Sequence, residues 1–183
     1  MDGAGVGQRR MLWGLLSLAC VAGIAGALFL GGKAVARDEA AAASQARTRA
    51  TLQLAPLLSS QDLAAPVEGD RYDDLLRDVR EGVLADSPFT GLTLWDPEAR
   101  IVFSTDPGTV GQQVVVVHER IRRVMRAGVE TAVVGGTFQT WVPLRLKLDG
   151  PVVGVARFDQ PYAPLWNRAN RPWRIAAIGF GVL

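Results

Sequence analysis

The chain has 183 residues, with 20 lysines and arginines against 18 aspartates and glutamates, and a single histidine and cysteine. A formal charge of +2 is too small to call for nucleic acid as a partner. Cys20 and His118, each alone of its kind, exclude an internal disulfide and a thiolate or multi-histidine metal centre, and leave little room for a Ser-His-Asp hydrolase.

Met11 to Gly32 carries no charged residue and follows Arg9 and Arg10. At about 1.5 Å per residue such a run crosses a hydrocarbon core of about 30 Å. The basic pair keeps residues 1–10 in the cytoplasm and places the chain beyond Lys33 outside. A cleaved signal peptide is the competing reading, with Ala34-Val35-Ala36 as its cleavage site, although its apolar core is typically only about 7–15 residues. Cleavage leaves a secreted protein; retention leaves a membrane anchor.

Lys33 to Leu58 is rich in alanine, the best helix former, and predicts a helix running on from the membrane; the juxtamembrane segment as a whole is 33–65. Pro56 and Ser59-Ser60 end or kink it. A loop to Gly69 precedes a second helix over Asp70–Ala85, on which Tyr72, Leu75, Leu76, Val79 and Val83 share a face. Asp70, Asp73 and Asp74 crowd its first turn, where the helix dipole favours acids.

From Gly91 the period changes to that of strands. Gly91–Trp95 and Ile101–Ser104 predict a hairpin across an Asp96–Arg100 turn, followed by a loop holding Pro107 and Gly111. Val117, Ile121, Val124 and Met125 mark a short helix stopped by Gly128. Three strands follow, at Glu130–Val134, Thr137–Leu148 and Val152–Phe158, the last two joined by a tight turn at Leu148-Asp149-Gly150. Trp173 and the apolar run Ile175–Leu183 read as the opening of a second membrane crossing, reached through a connector helix at 164–174. The expected fold is α+β: a five-stranded antiparallel sheet flanked by helices, between two membrane segments.

Along Thr137–Leu148 the residues Phe138, Val142, Leu144, Leu146 and Leu148 alternate with Thr137, Gln139, Trp141, Pro143, Arg145 and Lys147. The first set packs on a core, under the N-terminal helices. The second suits either a ligand pocket or a wet face with one anchoring tryptophan. His118 and the arginines beside it suit a solvated helix face with a Glu119–Arg123 pair, or else an acidity sensor or a contact with anionic lipid.

The ordered set Asp96, Pro107, Gly111, Pro143 and Gly154, spread over Tyr72–Tyr162, resembles the extracytoplasmic PAS-like (PDC, or single Cache) sensor domains of bacterial histidine kinases, chemoreceptors and diguanylate cyclases. The resemblance implies a sensor domain at 66–163 that works as a homodimer and passes a small-molecule or protein signal to a cytoplasmic output domain or response regulator. In the fumarate- and citrate-sensing members, basic residues clamp carboxylates. The matching positions here are Phe103, Asp106 and Gln139, with Val114 and Trp141 lining the same space, so the cationic clamp is absent. The resemblance calls for no cofactor. No nucleophile–base–orienter set is recognisable, and the chain is expected not to be an enzyme. A secreted or single-anchor binding protein is the alternative.

Overall fold

A computed structural model describes residue 33, residues 35–164 and residues 166–167. Glu39–Ala163 form one compact unit; the residues on either side of it form a second. The expected membrane helix at 11–32, most of the connector and the run from Ile175 lie outside the described residues. Among the described residues no helix is long and apolar enough to cross a membrane.

Helix α1, residues 35–49, continues into a wider π turn at Ala50–Leu54 and a tighter turn at Ala55–Leu57. Pro56 has no N–H to donate, and the Ala55 N–H reaches back to the Ala50 carbonyl. Ala46, Ala50, Leu54 and Leu58 recur every fourth residue as a buried stripe, small at first, so that the helix lies close on the sheet. Helix α2 (Gly69–Asp78) also passes into a π turn, at Val79–Val83. Arg49 ties the two segments together by donating to the Val83 and Ala85 carbonyls.

Strands β1 (Gly91–Trp95), β2 (Ile101–Ser104), β3 (Glu130–Val134), β4 (Thr137–Leu144) and β5 (Gly154–Pro161) make one antiparallel sheet in the order β2-β1-β5-β4-β3. One face, with Leu92, Leu94, Val142, Leu144, Ala156 and Phe158, packs under the helical segments before β1. The other carries Trp95, Trp141 and Val155, which meet Ile121 and Val124 of helix α3 (His118–Ala127). Gly128 ends α3 at φ +102°, a conformation open to glycine.

β4 and β5 differ from expectation. β4 stops at Leu144, β5 starts at Gly154, and residues 145–153 form a loop in place of a tight turn. Pro151 cannot donate to a ladder, so pairing closes earlier, at Leu144 opposite Gly154. β2 contains a bulge: Leu94 faces Phe103 and Trp95 faces Ile101, leaving Val102 unpaired in the ladder. The Val102 carbonyl instead accepts from Val67 N, at 2.8 Å.

Candidate functional site

The sheet face opposite α1 and α2 is only partly covered by α3. Beside the covered area lies a cleft of about 510 Å³, within the range of small-molecule sites. Its floor follows from strand parity. Gly91, Thr93 and Trp95 of β1 stand opposite Asp159, Arg157 and Val155 of β5, and Gln139 of β4 stands opposite Asp159. The loop after β2 closes one side with Asp106, whose Oδ1 accepts from Gly108 N at 3.2 Å and so shapes the Pro107–Thr109 turn.

Three of the five residues expected at the site line this cleft: Asp106, Val114 and Gln139. Phe103 does not. It is fully buried on the opposite face, its ring 5.5 Å from that of Tyr72. The bulge at Val102 is the cause, because it puts Ile101 and Ser104 on the cleft side and turns Phe103 into the core. Trp141 lies on the cleft face but behind the lining, fully buried against Trp95 with ring centroids 5.8 Å apart. It acts on the cleft through Arg157, whose guanidinium sits 5.4 Å above its ring, while Arg120 lies 5.5 Å from the same ring.

Arg157 and Asp159 are the residues that sequence reasoning missed. Arg157 is inside β5 and about three-quarters buried. Its Nε and Nη2 donate to Asp159 Oδ2 at 3.2 and 2.9 Å, and Nη2 also donates to Thr93 Oγ1 at 3.2 Å. Asp159 Oδ1 is buried with no partner, and so is Trp95 Nε1. Burial pushes the Asp159 carboxyl above the usual carboxylate range, against the opposing pull of Arg157. The alternation Val155, Arg157, Asp159 was the available signal, since period-two spacing puts all three on one face.

On α3 the expected Glu119–Arg123 pair is replaced. Arg120 and Arg123 both reach Glu130 on β3, at 2.9 and 3.1 Å, and Glu119 instead meets Arg126 at 3.7 Å. Burial opposes ionisation of Glu130, but the two guanidinium groups outweigh it and hold its carboxyl below the ordinary value. Among the described residues no group of three histidine, cysteine, aspartate or glutamate side chains is placed to hold a metal ion.

No family model matches the chain, and no curated protein matches it. Among solved structures it is similar to an extracellular ligand binding receptor from Desulfohalobium retbaense DSM5692, at 15% identity and a TM-score of 0.37. The match covers 82% of this chain and 26% of the receptor. The chain thus spans about a quarter of that protein's length.

Proposed function

We propose that the chain is the extracytoplasmic, PAS-like sensing region of a membrane signalling protein, the input half of a sensor histidine kinase, and that it binds a small molecule in the cleft between β1, β5 and the loop after β2. The observation that carries this reading is a cleft of about 510 Å³ whose lining brings Asp106, Gln139, Arg157 and Asp159 together with six hydroxyl side chains. A concave wall with a few convergent polar groups is the usual character of a small-molecule site. The charge-free run from Met11 to Gly32 behind Arg9-Arg10 supports a membrane anchor with the domain outside. In this reading the chain performs no catalysis. It works as a homodimer, and occupancy of the cleft shifts the balance between two arrangements of the flanking helices.

Topology tests the placement. Val116 is 91% exposed, and Cys20 is the only native thiol. Val116→Cys in a Cys20→Ser background is expected to react with a membrane-impermeant maleimide in intact cells, with the labelled protein recovered in the membrane fraction. Labelling only after lysis would sink the extracytoplasmic assignment. Labelled protein found only in the medium would favour the secreted binding protein.

A further inference from the structure

A second recess lies on the opposite face of the sheet, between the end of α1 and the end of β4. Its volume is about 520 Å³, again within the range of small-molecule sites. The floor is apolar and buried, with Ala50 and Ala55 from the helical side and Val142 and Leu144 from β4. The alanine side chains fill little of the gap between helix and sheet. The wider π turn at Ala50–Leu54 supplies Thr51 and Leu52 to the wall, and such turns are frequent at functional sites.

Two features distinguish this groove from plain surface. Leu52 on the helical side and Leu148 on the loop after β4 are 67% and 76% exposed, so two large aliphatic side chains stand in water beside an apolar floor. One exposed leucine is ordinary, but apolar surface gathered around a recess marks a binding groove. The charge is also one-sided: Arg47, Arg145 and Lys147 line the groove and no carboxylate does. Arg145 Nη1 donates to the Gly150 carbonyl and holds the loop. Arg47 and Lys147 have no ion-pair partner among the described residues. Asp149, the acid nearest to them in sequence, is exposed and outside the lining.

We propose that this groove binds a free amphipathic anion, a single carboxylate head on an unbranched hydrocarbon chain. The chain covers the apolar floor together with Leu52 and Leu148, and the head meets cations that lack partners. Neither part is enough alone, because exposed ion pairs are weak and an uncharged chain gains nothing from the three cations. The site is independent of the cleft on the other face, whose wall is polar and of mixed charge. Since α1 and β4 both wall the groove, an occupant braces the helix against the sheet and slows the opening of that joint.

The test follows hydrogen exchange by mass spectrometry in the purified full chain, in non-ionic detergent at neutral pH. The probes are octanoate, octylamine, octanol and acetate, which separate charge from chain. Saturable protection of residues 47–57 and 142–148 by octanoate alone is the expected result. Arg47→Glu combined with Lys147→Glu should raise the half-saturating concentration at least about fivefold, the scale of exposed ion pairs. Leu148→Ser should weaken binding too, by shortening the apolar surface. Arg122→Glu, on α3 across the sheet, should leave binding unchanged. Detergent takes up the same share of probe in every variant, and all four side chains are exposed, so the exchange of β1 and β5 should stay as in the parent. Equal protection by octanol or octylamine would overturn the part assigned to the cations, and equal protection by acetate the part assigned to the chain. Octanoate protection that the double variant leaves intact would overturn the site, and no protection by octanoate would overturn the proposal. Protection in phosphatidylglycerol nanodiscs with none from octanoate would overturn the free ligand in favour of a lipid surface.

Discussion

Asp62 joins three stretches of chain through one buried carboxylate. Its Oδ2 accepts from the Ser59 amide at 2.8 Å and from Arg71 Nη2 at 2.6 Å, and its Oδ1 accepts from Arg71 Nε at 3.0 Å. Arg71 Nη2 also donates to the Leu57 carbonyl at 2.8 Å, so the end of the first helical segment is clamped to α2. The hydrogen bond from Arg71 outweighs the cost of burial and brings the Asp62 carboxyl from 3.8 down to about 2. Folding therefore favours the ionised form, and its contribution is complete above the unfolded value of 3.8 and fades as pH falls toward about 2. At about 1.4 kcal/mol per pKa unit the contribution is on the order of 2 kcal/mol. Asp62→Asn is expected to lose that amount at neutral pH and to show a flatter loss of stability in acid. Urea unfolding at neutral pH and near pH 3 measures both, and a parallel acid response in the two proteins would contradict the assignment. Composition does not reveal this residue, because Asp62 sits in what reads as a plain loop between Ser59 and Gly69. Arg157 and Asp159 were hidden differently: a strand bearing charges reads as a surface until its neighbours and the covering loop are known.

At the scale of elements, periodicity located all five strands, and β1, β2 and β3 fall on the expected residues. Periodicity cannot see the Val102 bulge, since Ile101, Val102 and Phe103 are all apolar and any pairing of them buries hydrophobic surface. That one extra residue decided whether Phe103 faced ligand or core. The end of β4 was legible in principle, because Pro151 forbids the ladder that a tight turn there would need. Gly154 holds the opposite lesson. It was read as one member of a pattern, and the structure supplies the reason: a Cβ there would stand 2.5 Å from the Trp95 carbonyl oxygen, a backbone atom with little freedom to move. Gly154→Ala is expected to destabilise the unit by about 1–3 kcal/mol, the usual cost of overpacking. The shift of the urea midpoint measures it. No shift would mean that β1 and β5 separate more easily than their register implies.

For the unit as a whole, the open question is how occupancy of the cleft reaches a helix on the other face of the sheet. β5 offers a short route within Glu39–Ala163. Three residues after Asp159, Tyr162 lies at the strand's end, where its N–H donates to the Gly136 carbonyl at 2.9 Å and its ring stacks on Phe138 at 6.4 Å. Its hydroxyl donates to Glu39 Oε1 of α1 at 3.4 Å. A ligand that shifts Asp159 thus pulls on the strand whose end is bonded to Glu39 of α1. Tyr162→Phe keeps the ring and the backbone bond and removes only the hydroxyl, which makes it a clean probe. A long, partly solvated hydrogen bond is worth about 0.5–1 kcal/mol, so amides of residues 42–54 should exchange about two- to fivefold faster in the variant. Native-state hydrogen exchange followed by mass spectrometry reads this directly. The hydroxyl lies outside the lining of the cleft, so any change in affinity in the variant comes through the strand rather than through a lost ligand contact. Unchanged exchange would remove Tyr162 from the route and leave the contacts of α1 with β4 as the path that couples helix to sheet.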